Sequence, residues 1–123
     1  INKPFDEVWN SVIEWFAKNG TPIKNMDKSS GFIATESNLR PDYSHCDCGV
    51  MGTLNSIDEI LGKFNILIKK VNDNSTLFEI NTFFTANVKT ANIYTSNPPY
   101  FYKTIDCNSK GTLEKDIFNY ISK

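Results

Sequence analysis

Hydrophobic positions near the start of the chain recur with the period of a helix. In KPFDEVWNSVIEWFAKNG, Phe5, Val8, Trp9, Val12, Ile13 and Phe16 fall at i, i+3, i+4, i+7, i+8 and i+11, which lines them along one face of a helix of about four turns. Pro4 suits the first turn, where its missing N–H would find no partner anyway, and Asp6 and Glu7 lie where the helix dipole favours negative charge. Asn19-Gly20, with Pro22 just beyond, ends the element. On such a helix Trp9 and Trp15 read as core residues rather than as the lining of a pocket.

The period then changes from 3.6 to 2. TPIKNMDKSSGFIATES reads as two short strands around the turn Asp27-Lys28-Ser29-Ser30-Gly31, with Gly31 supplying a positive backbone angle. From Ser37 to Gly62 turn residues are frequent and periodicity is poor, which predicts a long loop with a helical turn at SIDEIL. A loop of that length is usually functional or tied down. KFNILIKKV alternates through Phe64, Ile66 and Ile68, and LFEINTFFTA alternates through Phe78, Ile80, Thr82, Phe84 and Ala86, so the two form an antiparallel pair. Tyr100 to Cys107 reads as a further strand behind Pro98-Pro99. Thr112 suits a helix cap, and LEKDIFNYI sets Leu113, Ile117, Tyr120 and Ile121 on one side of a short helix.

Helix, about five strands, helix: this order predicts one α+β domain over residues 1–123, two layers deep, with an antiparallel sheet and both helices packed on one face. Trp9, Val12, Phe16, Ile66, Phe84 and Ile117 are expected in one core. A chain of 123 residues with 40% hydrophobic and 13% aromatic content can bury a single core of this kind. Thirteen Lys plus Arg against fourteen Asp plus Glu, with Arg40 the only arginine, give no basic field for phosphates, which argues against nucleic acid as a partner. No apolar run approaches the ~20 residues of a transmembrane helix. The chain begins at Ile1 rather than Met, which leaves room for a removed leader or a lipid anchor upstream.

Candidate chemistry is confined to SHCDCGVMG, which holds the only histidine, His45, and two of the three cysteines, Cys46 and Cys48. Three readings compete. Zinc would need His45, Cys46, Cys48 and the distant Cys107, but structural zinc sites space paired ligands by two to four residues, not three ligands in four. A redox or nucleophilic cysteine needs a base nearby, and in extended chain His45 and Cys46 point to opposite faces. The third reading joins Cys48, or less favourably Cys46, to Cys107, tying down the long loop and leaving one thiol over, which should be Cys46. Three reduced thiols would be the default in the cytosol.

Elsewhere, Tyr100, Phe101 and Tyr102 form a candidate interaction surface, although strand alternation would bury about half of it. Asp58-Glu59 and Asp6-Glu7 read as solvated charges near helical segments. No phosphate loop, serine elbow or metalloprotease motif is present, so neither a cofactor nor a catalytic residue is expected.

PFDEVWNSVIEWFAKNG followed by IKNMDKSSGFIATE, with the ending TIDCNSKGTLEKDIFNYI, resembles small bacterial envelope lipoproteins of the BamC and helix-grip type. That resemblance implies a non-enzymatic periplasmic or outer-membrane module, lipoprotein-like, that works through a protein partner. The lipid-bearing cysteine of such proteins and their lack of a CDCG loop are points of departure. Helix-grip sheets of the START and pollen-allergen type imply an alternative, a domain binding a small apolar ligand.

Overall fold

The computed structural model describes residues 1–35 and 44–123. The segment 36–43, which includes the start of the predicted loop and Arg40, lies outside the described residues. Two helices and six strands follow in the order α1 (Phe5–Lys18), β1 (Ile23–Asp27), β2 (Phe32–Thr35), β3 (Cys46–Asp47), β4 (Asn55–Asn72), β5 (Ser75–Ala91), β6 (Tyr100–Ser109) and α2 (Thr112–Ser122). All strand pairs are antiparallel, and the sheet order is β1-β2-β4-β5-β6-β3. The class is α+β as expected. The expected sheet of about five strands has six among the described residues, the extra one being the two-residue β3, too short to show a period.

A second correction concerns SIDEIL. It is not a helical turn within a loop but the beginning of β4, and Asp58-Glu59 lie on that strand. The register slips between Ile57 and Glu59, with Ile57 opposite Val88 and Ile60 opposite Ala86. A bulge adds one residue without a partner, so Ile57 and Ile60 face the same side although three apart. That i, i+3 spacing mimics a helix.

The inward side chains of β4, Phe64, Ile66 and Ile68, are fully buried under α1 residues Val8, Trp9, Val12, Trp15 and Phe16 and α2 residues Ile117 and Ile121. Phe16 stacks on Phe64, and Trp15 meets the same ring edge-on. Phe84 does not belong to this core. It sits in a second cluster with Cys46, Ile60, Ala86 and Cys107, and Leu113 touches both clusters. The division follows from length: at ~3.3 Å per residue the 18-residue β4 is roughly 60 Å of chain, while the 14-residue α1 is roughly 21 Å. One helix cannot cover the whole hairpin.

Thr112 does not cap α2. Gly111 takes the N-cap position in a left-handed conformation, and the Thr112 hydroxyl donates to the Ser44 carbonyl. Glu114 instead reaches back to the Ser109 hydroxyl, which accepts from the Gly111 amide.

Candidate functional site

The sulfur cluster is built by a strand register. Cys46 lies opposite Ser109 and Asp47 opposite Asn108, so the next step along both strands brings Cys48 to Cys107. Their α-carbons are 4.2 Å apart, and the two residues form a disulfide across 59 positions of sequence. The Gly49 amide then donates to the Asp47 carboxylate at 2.8 Å, and Gly49 takes φ +87°. This local turn bends the chain off the sheet edge immediately after the bridge.

Cys46 carries a thiol and is fully buried. Its sulfur lies beside the bridge that Cys48 makes two residues further along. The three sulfurs lie within 4.8 Å of one another. His45 is not in that group: it lies in the turn before β3, and its carbonyl accepts from the Lys110 amide. The four-residue zinc set is therefore split, with three members converging and two of those joined as a disulfide.

Tyr100, Phe101 and Tyr102 lie at the other end of β6, opposite Ala91, Thr90 and Lys89. Alternation puts Tyr100 and Tyr102 on the face away from the helices and Phe101 on the helix side. Phe101 is still 53% exposed and Tyr102 64%, because the helices end well short of this part of the hairpin. The Lys89 ammonium sits 4.4 Å from the Tyr100 ring centroid, close enough for a cation–π contact. Among the described residues, β6 pairs with β3 only at Asn108 and Ser109, so Tyr100 to Asp106 present an open strand edge.

The turn joining β5 to β6 enlarges this surface. Its polar composition in ANIYTSNPPY hides two exposed apolar side chains, Ile93 and Tyr94, the latter 89% exposed. Asn92 organises the turn. Its side-chain oxygen Oδ1 accepts from the Tyr94 and Thr95 amides, its side-chain Nδ2 donates to the Pro98 carbonyl, and its backbone N–H donates to the Pro99 carbonyl. Sequence reasoning passed over Ile93 and Tyr94, yet a signal existed: large apolar residues between Asn and Pro-Pro have no strand or helix to bury them.

A cleft of about 660 Å³ opens between the N-terminus of α1 and the β1–β2 turn, lined in part by Asp6, Lys28, Ser29, Lys69, Lys70 and Asp73. Two of its lysines are already matched, Lys28 with Asp6 at 3.2 Å and Lys70 with Asp73 at 2.9 Å. The hydrogen bond and charge of Asp73 raise the Lys70 pKa and Lys70 lowers that of Asp73. Both carboxylates of the cleft are thus paired with lysines, and Lys69 carries the remaining charge of its walls.

No family model, curated protein or solved structure matches the chain.

Proposed function

We propose that this chain is a non-enzymatic binding module of the bacterial cell envelope, periplasmic or lipoprotein-like, which docks a protein partner on the far end of the β5–β6 hairpin. The observation that carries the reading is the prebuilt turn at Asn92, which leaves Tyr94 in solvent at the same end of the hairpin as the exposed Tyr100, Phe101 and Tyr102. Aromatic side chains held in place lose little entropy on binding and bring large contact areas, which makes them common binding hot spots. The open edge of β6 adds a row of backbone donors and acceptors for a strand of the partner. Lys103 on that edge opposes pairing between two copies of this chain and favours a partner strand with a carboxylate facing it.

The disulfide supports an oxidising compartment, in line with the envelope resemblance. The perturbed charges support a role without chemistry: Glu14, Lys18, Lys70 and Asp73 are surface ion-pair members, and the Asp27 carboxylate is lowered chiefly by accepting from the Ser29 hydroxyl within a turn. The inward strand side chains meet helix side chains, which favours a packed interior over an apolar ligand pocket.

Affinity capture from the native envelope, comparing the intact chain with a Tyr94→Ser/Phe101→Ser/Tyr102→Ser variant of unchanged circular dichroism, tests this. A partner retained by the intact chain and lost with the variant is expected. The same captured set from both would remove the hairpin end as the binding surface.

A further inference from the structure

The geometry points to a thiol–disulfide exchange site: Cys46 takes over the bridge to Cys107 and releases Cys48 as a surface thiol that forms mixed disulfides with small-molecule disulfides. This inference does not rest on the aromatic surface. It rests on three sulfurs within 4.8 Å, of which two are bridged and the third is a thiol.

The strand register makes the exchange cheap in motion. The sulfurs of Cys46, in β3, and of Cys48, just after it, both lie beside Cys107, so sliding β3 by two residues along β6 places Cys46 opposite Cys107 with every side chain still on its original face. β3 is an edge strand of two residues, an element that opens at low free-energy cost. Burial also separates the two thiols. Cys46 is enclosed by Ile60, Phe84 and Ala86, whereas Cys48 is only partly buried and lies next to the exposed Gly49. Exchange therefore moves the reactive sulfur from the interior to the surface.

The chemistry balances without an added oxidant in its first step. During opening of β3, the Cys46 thiol gives its proton to water or hydroxide, and the thiolate attacks Cys107 Sγ. A Cys46–Cys107 bond forms as the Cys48–Cys107 bond breaks, and the electron pair departs on Cys48 Sγ, which takes up a proton. One disulfide is present before and after. In the second step the Cys48 thiolate attacks a small-molecule disulfide such as oxidised glutathione, forming a mixed disulfide at Cys48 and expelling one thiolate.

Native-state alkylation of the whole chain between pH 6.5 and 8, quenched in acid and mapped by peptide mass spectrometry, tests the exchange. Molecules alkylated at Cys48 and bridged between Cys46 and Cys107 are expected, accumulating about tenfold faster per pH unit, because the thiolate is the reacting form. Oxidised glutathione in place of the alkylating agent should leave a glutathionyl group on Cys48 in the same bridged species. Cys46→Ala should retain the Cys48–Cys107 bridge and reduce Cys48 labelling at least tenfold. Cys48→Ser, treated with oxidised glutathione, should form the Cys46–Cys107 bridge. Labelling confined to Cys46, no labelling across the pH range, or equal Cys48 labelling in Cys46→Ala would overturn the proposal. The wild-type and Cys46→Ala results decide it even if Cys48→Ser does not fold.

Discussion

Gly31 and Thr35 show how single residues couple the small β1–β2 hairpin to the long one. Gly31 has φ +72°, and a Cβ built there would lie 1.8 Å from the Ile68 carbonyl oxygen. That carbonyl belongs to the residue whose amide donates to Gly31 O at 2.8 Å, so the turn is pressed against β4 at both the N–H and the C=O of Ile68. Gly20 has φ +61° but open space around it. Gly31→Ala should therefore destabilise by about 3 kcal/mol, combining left-handed strain with a backbone clash, and Gly20→Ala by about 1 kcal/mol from strain alone. Urea unfolding of the two variants checks the contrast, and equal losses would discard the clash. Thr35, itself buried, accepts from the Phe64 amide at 3.0 Å. Thr35→Val should cost about 2 kcal/mol by leaving that amide without its acceptor, whereas Thr35→Ser should largely keep it.

The two helices are joined at their surfaces by ties that have no counterpart in either helix alone. Lys3 donates to the Ile121 carbonyl at 3.1 Å, supplying positive charge to the end of a helix that has no basic residue in its own last turn. Lys3→Ala should lower stability by about 0.5–1 kcal/mol, with faster hydrogen exchange confined to the last turn of α2. Between the same helices, Tyr120 donates its hydroxyl to Glu14, which also pairs with Lys18 at 2.9 Å. The Tyr120 hydrogen bond, then that of Lys18 and its charge, hold the Glu14 carboxyl below its usual range, and Glu14 in turn raises the Lys18 pKa. A lowered folded pKa means that this contribution is present above the unfolded value near 4.5 and disappears as pH falls through the folded one. The melting temperature of Glu14→Gln should lie below that of the wild type at pH 6, and the gap should narrow as pH falls below 4.5 and close once pH is below the folded pKa. A gap independent of pH would show that the tie is not electrostatic.

At the scale of the whole molecule, the disulfide holds an edge that the sheet itself holds weakly. β3 contributes two residue pairs to β6, and the chain before it includes the long connection from β2. Closing a span of 59 residues should contribute about 4 kcal/mol by the chain-entropy model. Cys107→Ala should lose that amount in urea unfolding, and wild type in excess reductant should lose a similar amount. A variant as stable as the wild type would mean that packing of the second cluster alone holds β3 in place. The same scale explains the exposed hairpin end. A hairpin nearly three times as long as the helix beside it keeps one end outside the core, and that end carries the aromatic side chains.

Much of this was legible from local pattern. The period of α1 and the alternation of β4 and β5 from Phe64 onward each register a side chain's orientation at its own position, so both helices, the central pair and the inward faces were readable. A bridge from the CDCG segment to Cys107 was readable by elimination, with Cys48 favoured over Cys46, and the register of β3 on β6 decides for Cys48. Tertiary structure alone decided the rest. The bulge at Asp58 converts a helix-like spacing into a strand, and only pairing with β5 reveals the extra residue. The separation of Phe84 from the Trp9 core depends on where the helices stop along the hairpin. Thr112 is diverted from capping because Ser44, 68 residues away in sequence, offers a carbonyl that local preference cannot foresee. The meeting of Cys46 with the bridge has the same cause: a two-residue strand has no period, and its register exists only against β6.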